Sequence, residues 1–186
     1  QACSNNWRYG LNRSEKNNLK LKLENNPKAE LTYNIYREME KNKNLPQTYS
    51  LNQITNIFNF LKNKIIYYEC FNDKNELVAI RAAIYNNNKA WEVLAASSIK
   101  ARKYYASYTT EWALLDHCCK IGIKLYDFTG ADKKNNPGVY FFKKGTGAKE
   151  ISSLGEWEFS LIPFFRYVIY LRFKILYIAK LFFKNL

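Results

Sequence analysis

Three short β-type segments in the middle of the sequence constrain the fold more than any other feature. They span residues 65–71 (IIYYECF), 77–85 and 90–96, where β-branched, aromatic and small apolar residues dominate. Polar, asparagine-rich turns at 72–75 and 86–88 connect them. We therefore expect these segments to form an antiparallel meander.

Helical patterns precede the meander. Residues 6–17 form a basic amphipathic pattern, and residues 19–23 (LKLKL) then alternate as in a strand. A second helix is expected from Pro27 to about Lys43. Ser50 suits the N-cap of a third helix, which carries one apolar stripe.

The segment after the meander is expected to return to the sheet. The pattern predicts a basic loop at 97–103, a helix at 105–120, a strand at 123–128 and a further strand-like segment at 151–159. The apolar face of the helix is expected to contain Trp112, Leu115 and Cys119. Helices followed by antiparallel strands, and then by a helix leading into another strand, define an α+β order.

Length and composition fit one domain with a C-terminal extension. A chain of 186 residues with 47% hydrophobic residues can bury a substantial core. We assign residues 1–160 to a single α+β domain and residues 161–186 to a separate, basic amphipathic helix. Because the sequence begins with Gln1 instead of Met, we expect that an N-terminal part is missing.

The net charge of +13 is concentrated in two regions. Residues 161–186 carry five basic side chains and no acidic one, and residues 97–149 carry ten basic and four acidic side chains. Together the two regions supply eleven of the thirteen net charges. This distribution favours an anionic partner, such as RNA, a phosphorylated substrate or a membrane surface. Solubility combined with codon bias is the alternative interpretation.

The C-terminal segment from Pro163 to Leu186 has a basic side and an apolar side on a helical projection. If the helix crossed a bilayer, Arg172 and Lys174 would lie near its centre, at a cost of roughly 2.5–3.5 kcal/mol each. We therefore favour a helix that lies in the membrane interface. Packing on a missing domain and a membrane-spanning helix are the alternatives.

The four cysteines suggest neither a zinc site nor a disulfide framework. Cys3, Cys70, Cys118 and Cys119 lack the spacing that either requires. We interpret them as reduced thiols in a cytosolic protein and predict no metal site. His117 precedes Cys118, but adjacent side chains on a helix diverge, which favours a structural histidine.

The segment from Tyr126 to Gly147 (YDFTGADKKNNPGVYFFKKGTG) has the properties of a functional site. A strand end and a turn lead through a polar loop to an aromatic run, which presents Lys143 and Lys144. The glycines at 145 and 147 permit unusual dihedral angles or the close approach of a ligand. A lysine held there can offset phosphate charge or stabilise a developing oxyanion.

This segment resembles the signature of the FemABX aminoacyltransferases of the GNAT-like superfamily and of the related BioF2-like domains. That signature combines Tyr-Asp-Phe-Gly-Gly at a strand end with Gly-(Leu/Val)-Tyr and Phe-Lys-Lys-Gly-Phe-Gly. The corresponding segments here are 126–130 (YDFTG), 138–140 (GVY) and 142–147 (FKKGTG). Residues 7–16 and the Gly155-Glu156 pair are similar to further family motifs. Thr129 and Thr146 depart from the family's glycine and aromatic residue.

The resemblance implies a mixed GNAT-like sheet flanked by helices, with this chain as the second of two lobes. It also implies transfer of an amino acid from aminoacyl-tRNA to an amine on a peptidoglycan precursor, without metal or coenzyme A. The donor ester is already activated, so the enzyme mainly positions it and stabilises charge. The family's functional Phe-Lys pair maps onto Phe142 and Lys143. The other candidate site residues are Lys144 and Asp127 for catalysis, with Tyr140, Gly145 and Gly147 for substrate binding.

Two of these assignments leave alternatives open. Asp127 either orients the amine or caps the strand end. The loop at 97–103 lacks the glycines with which GNAT acetyltransferases bind the pyrophosphate of acetyl-CoA, which argues against coenzyme A. Its Lys100, Arg102 and Lys103 are predicted to bind phosphate by side-chain charge, and a solvated basic loop is the alternative.

We therefore expect the second lobe of a FemABX-like enzyme that forms a peptide bond on a cell-wall precursor, at the cytoplasmic face of the bacterial inner membrane. Its expected partners are aminoacyl-tRNA, a precursor that can be lipid-linked, an N-terminal GNAT-like lobe and, through residues 163–186, the membrane surface. One alternative is a GNAT-type N-acyltransferase that acts on an amino sugar of a surface polysaccharide. The other is a non-catalytic lobe that binds RNA or membrane.

Overall fold

A computed structural model of the chain describes residues 3–152, 155, 159 and 162–183. The chain divides into two compact units, Gln1–Lys149 and Glu150–Leu186. The first unit contains a sheet with its flanking helices, and the second contains one long helix. The strand-like segment predicted at 151–159 lies largely outside the described residues.

A five-stranded sheet forms the framework of the first unit. Its strands, in spatial as well as chain order, are β1 (Lys20–Leu23), β2 (Ile65–Phe71), β3 (Leu77–Asn86), β4 (Lys89–Ser97) and β5 (Leu125–Asp127). Neighbouring strands from β1 to β4 are antiparallel, whereas β5 is parallel to β4. The predicted meander is confirmed as β2, β3 and β4.

Six helices surround this sheet in the described residues of the first unit. They are α1 (Asn5–Glu15), α2 (Ala29–Lys43), α3 (Leu51–Leu61), α4 (Ala101–Tyr104), α5 (Ala106–Lys120) and α6 (Pro137–Gly145). Ser50 caps α3 through a reciprocal capping box with Gln53, as its position predicted. The second unit contains α7 (Pro163–Phe183). None of the helices in the described part of the chain is both long enough and apolar enough to cross a membrane.

The helices cover both faces of the sheet. Residues of α2 and α3 pack on one face, together with Ile80 and Ala82 of β3. Residues of α4 and α5 pack on the other face, together with Ala79 and Ala83 of the same strand. The small alanine side chains allow helices on both sides to approach the central strand closely. Helix α1 packs against α5.

A bulge in β4 changes which face its side chains point to. The residues opposite Ala82 and Ala83 are Leu94 and Glu92, so that Val93 is the additional residue of the bulge. Apolar residues before the bulge therefore pack with α5, whereas those after it pack with α2 and α3. The bulge lies where β4 begins to leave β5.

Two predictions for residues 97–120 are wrong. Part of the predicted basic loop forms the short helix α4. In α5, Trp112 is 47% exposed and Cys119 is exposed, so neither belongs to a buried face. The buried face instead comprises Ala106, Thr110, Glu111, Leu114 and Cys118. Glu111 is buried because it faces Arg81 of β3, with which it forms an ion pair. A search for hydrophobic periodicity does not detect such a pair of charges.

Gly10 of α1 and Gly138 of α6 offer a matched pair of substitutions. A Cβ atom on Gly10 would lie 2.7 Å from the ring of Tyr108 on α5, whereas a Cβ atom on Gly138 would have no heavy atom within 4 Å. We predict that Gly10→Ala lowers the free energy of unfolding by about 1–3 kcal/mol, because the packed ring must move. Gly138→Ala should be neutral or stabilise by up to about 1 kcal/mol. Urea unfolding measures both, and equal changes would contradict the close packing of α1 on α5.

Candidate active site

β4 and β5 separate beyond a short paired region and open the sheet at that edge. Lys89–Trp91 pair in parallel with Leu125–Asp127, after which β5 ends while β4 continues to Ser97. Side chains from α2 and α6 contact the part of β4 that follows its pairing with β5. Such a divergence creates room for a ligand next to free strand edges.

A cleft of about 610 Å³ lies at the C-terminal end of β4. Its lining consists of Met39, Asn42, Lys43, Ser97, Ser98, Ile99, Ala101, Arg102, Tyr105, Ser107, Tyr108 and Phe142. The two charged residues among these, Lys43 and Arg102, are both basic. Partial burial and the nearby charge of Arg81 lower the pKa of Lys43. The combination of cations, hydroxyl groups and aromatic rings suits an anionic ligand that carries a flat ring.

An acidic side chain holds the backbone at the rim of this cleft. The backbone N–H of Ile99 donates a hydrogen bond of 3.0 Å to Oε1 of Glu38 on α2. The connection between β4 and α4 therefore offers one fewer backbone donor to an anion, and it carries a negative charge beside that donor. This connection lies within the segment 97–103, which contains no glycine.

Two tyrosines occupy the free edge of β4. The hydroxyl of Tyr36 accepts a hydrogen bond of 2.8 Å from the backbone N–H of Ala95, and the hydroxyl of Tyr49 donates one of 3.4 Å to the carbonyl of Val93. The two rings are in edge contact, 5.5 Å apart between centroids. Burial raises the pKa of Tyr36, so this phenol stays protonated. The edge of β4 is thus satisfied by the protein's own side chains.

Phe142 forms one wall of the cleft, and three other groups fix its ring. The ring of Tyr108 packs against it at 5.1 Å and that of Trp7 at 5.9 Å between centroids. The guanidinium carbon of Arg81 lies 5.0 Å from the centroid of the Phe142 ring, within the range of a cation–π interaction. The position of Phe142 therefore depends on α1, α5 and β3 together.

Four charged side chains form a buried group next to Phe142, which we call the Arg81 cluster: Arg81, Glu92, Glu111 and Lys143. Nη1 of Arg81 lies 2.5 Å from Oε1 of Glu92 and 3.2 Å from Oε2 of Glu111. Nζ of Lys143 lies 3.5 Å from Oε2 of Glu92. Each of the four side chains is at most 12% exposed. The cluster links β3, β4, α5 and α6 through charge contacts.

Burial decides how Glu111 titrates. Burial raises the pKa of Glu111 from its ordinary value of 4.5 to about 8, and the charge of Arg81 offsets only part of that shift. The carboxyl oxygens of Glu111 lack a hydrogen-bond partner among the described residues, although Arg81 is within ion-pair distance. Burial would lower the pKa of Arg81, but the carboxylates of Glu92 and Glu111 raise it, so Arg81 stays charged.

Lys143 also holds the turn that follows β5. Its Nζ donates hydrogen bonds of 2.6 Å to the carbonyl of Phe128 and 2.9 Å to that of Gly130. Within the turn, Thr129 adopts a left-handed backbone with φ of 57°, at a position where the FemABX signature has glycine. Lys143 therefore points to the backbone of the turn and to the Arg81 cluster, and not to open solvent.

Asp127 caps the end of β5. It accepts a hydrogen bond of 2.9 Å from the backbone N–H of Thr129, and its other oxygen lies 3.3 Å from Nζ of Lys89. Both contacts stabilise the strand end. Of the two roles considered from the sequence, they correspond to capping the strand end and not to orienting the amine.

The segment predicted as an aromatic run beside flexible backbone is the helix α6. Gly145 lies inside this helix, where an added Cβ atom would come within 3.0 Å of the Trp7 side chain. The flexible backbone expected at Gly145 is therefore wrong, and this glycine instead permits α6 to pack on α1. Gly147 does adopt a left-handed φ of 88°. Nζ of Lys144 donates to the hydroxyl of the buried Tyr140 at 3.3 Å.

The three basic residues predicted to bind phosphate lie in different surroundings. Arg102 lines the cleft. Lys100 forms an ion pair of 2.6 Å with Glu76, and Lys103 lies 5.7 Å from the ring centroid of Tyr104. The structure thus brings Arg102 and Phe142 together at the cleft, with Lys143 adjoining them through the Arg81 cluster.

His117 and Cys118 have structural surroundings. Nδ1 of His117 lies 3.2 Å from the hydroxyl of Tyr68. Burial raises the pKa of the Cys118 thiol to about 12, which disfavours the nucleophilic thiolate. Within the described residues, no group of three or more histidine, cysteine or acidic side chains could hold a metal ion.

Sequence reasoning missed the residues around which this site is built. Arg81 is the single charge of β3 (LVAIRAAIYN), and Glu92 is the single charge in the interior of β4 (KAWEVLAAS), where the residues between the strand ends are otherwise apolar. An isolated charge in a buried strand is almost always paired with an opposite charge, so the sequence alone could have indicated these residues. Tyr36, Glu38 and Lys43 of α2 carried no comparable signal, because only the fold brings α2 to the edge of β4.

Substituting Glu111 tests its burial. Because the folded-state pKa lies above the unfolded value of 4.5, the folded protein binds an additional proton between pH 4.5 and about 8. Wild-type stability therefore falls as pH rises through this window, and Glu111→Gln should lack that loss. We predict that the free energy of unfolding of Glu111→Gln, relative to the wild type, increases from about pH 5 to about pH 8 in urea titrations. A difference that does not change with pH would show that Glu111 is ionised in the folded protein.

Three solved structures share this fold at low sequence identity. The crystal structure of FemX matches with a TM-score of 0.70 and 11% identity, over 78% of this chain and 54% of FemX. A GNAT-family acetyltransferase from Staphylococcus aureus Mu50 matches with a TM-score of 0.55 and 16% identity, over 68% of this chain and 82% of that protein. An aminoglycoside acetyltransferase from an uncultured soil metagenomic sample matches with a TM-score of 0.58 and 14% identity, over 76% and 97% of the two chains. The predicted α+β GNAT-like fold is confirmed, and the chain spans about half the length of FemX.

Sequence comparison identifies the family. No curated protein sequence is significantly similar to this chain. The model of the FemAB family, in contrast, matches residues 10–172, which contain the whole sheet, the cleft and the Arg81 cluster. Because this match covers most of the chain and agrees with the motifs between Tyr126 and Gly147, the protein belongs to the FemAB family.

Proposed function

We propose that this protein is the GNAT-like lobe of an aminoacyltransferase, which transfers an amino acid from aminoacyl-tRNA to an amine of a peptidoglycan precursor. Membership of the FemAB family supports this function. The observation that carries it is the cleft, where Lys43 and Arg102 accompany the aromatic side chains of Tyr105, Tyr108 and Phe142. The 3′ end of a tRNA offers the matching groups, a phosphate and a flat base.

Three features of the site disfavour coenzyme A as donor. The connection before α4 has no glycine, and its Ile99 N–H already binds the carboxylate of Glu38. A pyrophosphate placed there would meet negative charge. An extended acyl-thioester arm that paired with the free edge of β4 would have to displace the hydroxyls of Tyr36 and Tyr49.

The reaction makes modest demands on the protein. The amine nitrogen of the acceptor attacks the ester carbonyl of the aminoacyl-tRNA, an amide bond forms, and the ester bond to the terminal ribose breaks. The ribose oxygen receives a proton and the attacking nitrogen loses one. Because the ester is already activated, holding the two reactants in contact and stabilising the developing oxyanion can supply most of the acceleration.

Within this scheme we assign Lys143 as a positioning residue and Phe142 as part of the donor-binding wall. Lys143 ties the turn after β5 to the Arg81 cluster, and the cluster sets the ring of Phe142 against the cleft. Arg102 and Lys43 would neutralise phosphate at the cleft. Lys144 and Asp127 hold local structure in this assignment.

The proposed enzyme needs more than this chain provides. FemX is about twice as long as the matched region, so we propose that a second GNAT-like lobe completes the acceptor site. The acceptor we propose is a cell-wall precursor at the cytoplasmic face of the inner membrane. An N-acyltransferase acting on an amino sugar is the second candidate function, favoured by the fold that this chain shares with an aminoglycoside acetyltransferase.

A transfer assay tests the proposed function directly. The full-length protein is incubated with a pool of radiolabelled aminoacyl-tRNAs and, in separate reactions, with a lipid-linked or a nucleotide-linked muropeptide acceptor. We expect label to appear in the muropeptide as an amide that resists mild base. If label is transferred from acyl-CoA to an amino sugar but not from tRNA, the second candidate function is correct.

Cleft cations should govern binding of the donor. We predict that Arg102→Gln combined with Lys43→Gln raises the KM for aminoacyl-tRNA by about tenfold or more, because charge-assisted contacts to phosphate are lost. The kcat should change much less. Lys41→Gln, on the same exposed turn of α2 but outside the cleft lining, is the matched control and should leave KM unchanged. An unchanged KM in the double variant would show that the donor does not bind in this cleft.

Lys143 should affect turnover through the turn that it holds. We predict that Lys143→Met lowers the free energy of unfolding by about 1–3 kcal/mol, because two carbonyls and Glu92 lose a donor. It should lower kcat by more than about tenfold while KM for tRNA changes little, as expected for a misplaced reaction geometry. Lys149→Met, on the exposed surface, serves as control. A raised KM with an unchanged kcat would instead identify Lys143 as a donor-binding residue.

A further inference from the structure

Helix α7 presents an exposed apolar surface along its described length. All thirteen side chains from 164 to 176 are exposed. Four of them, Phe164, Val168, Leu171 and Ile175, are apolar side chains with exposed fractions between 48% and 70%. A continuous apolar surface of this kind on a protein marks a site of interaction.

These four side chains form a single stripe. Their spacing of four, three and four residues places them within about 60° of one another on a helical projection. With a rise of 1.5 Å per residue, the stripe is about 17 Å long. Ile169, Phe173 and Leu176 are also exposed, but they lie on other sides of the helix, roughly 110–170° from the centre of the stripe.

The charges on α7 all have the same sign. Residues 162–183 contain four basic side chains and no acidic one. On the helical projection, Arg172 and Lys174 flank the stripe at roughly 70–90° from its centre, and Arg166 lies opposite to it. Long basic side chains beside an apolar stripe can place their stems in an apolar layer and their charges among anionic groups.

We propose that α7 lies along the surface of a membrane that contains anionic lipid. The stripe would enter the boundary of the acyl chains, and Arg166, Arg172 and Lys174 would contact the headgroups. Two tyrosines support this orientation, because Tyr167 and Tyr170 are exposed and lie between the stripe and the basic side of the helix. Tyrosine rings favour this depth, where one end of the side chain is apolar and the other is hydrated.

Charge favours lipid over a second copy of the chain. Two copies of α7 packed through their stripes would bring Arg172 and Lys174 of each helix towards the cations of the other, without an acidic side chain between 162 and 183 to pair with them. An anionic bilayer provides both the apolar layer and the counter-charge. This role is separate from the transfer reaction, so that its test leaves the proposed function untouched.

Vesicle sedimentation of the full chain tests this role. Vesicles of phosphatidylcholine alone are compared with vesicles of phosphatidylcholine and phosphatidylglycerol. We expect strong binding to the anionic vesicles only. Replacing Arg166, Arg172 and Lys174 by glutamine should lower the partition coefficient by about a hundredfold. Leu171→Glu combined with Ile175→Glu retains every basic side chain of α7 and should lower it by more than about tenfold.

Matched controls lie in the first unit. Phe60→Glu changes an exposed aromatic residue of α3, and Lys41→Gln, Lys62→Gln and Lys64→Gln together remove three surface charges. Both controls should bind vesicles as the wild type does. Absence of binding by the wild type, or equal binding by the Leu171 and Ile175 variant, would overturn the assignment. Self-association in sedimentation velocity that these same two substitutions abolish, without vesicle binding, would assign the stripe to a second copy and also overturn it.

Discussion

The buried guanidinium of Arg81 is the interaction on which the rest of the site depends. It emerges from β3, the central strand, and contacts a carboxylate of β4, a carboxyl group of α5 and the ring of Phe142 on α6. A charge in this position requires partners, since an unpaired buried charge would cost several kcal/mol. Its partners lie on three different elements, of which the nearest in the chain is the next strand and the farthest is α6. The cluster therefore orders the open side of the sheet and fixes one wall of the cleft.

The open edge of β4 connects the fold to the donor that we propose. β4 leaves β5 near the Val93 bulge, and the freed edge binds Tyr36 of α2 and Tyr49 of the segment before α3. With that edge occupied and Glu38 at the rim, the space that remains is a basic, aromatic cleft at the end of β4. If aminoacyl-tRNA is the donor, as we propose, a GNAT-like framework accepts it without a change in its strand order. We propose that this difference in donor rests on Tyr36 and Glu38 of α2 and on Tyr49.

Local signals in the sequence predicted most of the secondary structure. The β-branched runs and the Ser50 N-cap depend on residues close together in the chain, so they can be predicted without the fold. The Arg81 cluster could not be read in this way, because its charges come from elements separated by up to about sixty residues. Helix α6 was missed although Asn136-Pro137 is a helix-start signal, because Gly145 and Gly147 were interpreted as flexible backbone.

Binding of a tRNA acceptor end tests the central claim, that this cleft receives aminoacyl-tRNA and not coenzyme A. The ligand is an RNA minihelix that carries an amino acid on its 3′ end through a stable amide, titrated by fluorescence anisotropy against the protein at several salt concentrations. The account predicts saturable binding that weakens as salt increases and that coenzyme A does not displace. Saturable binding of coenzyme A, together with no binding of the minihelix, would contradict it.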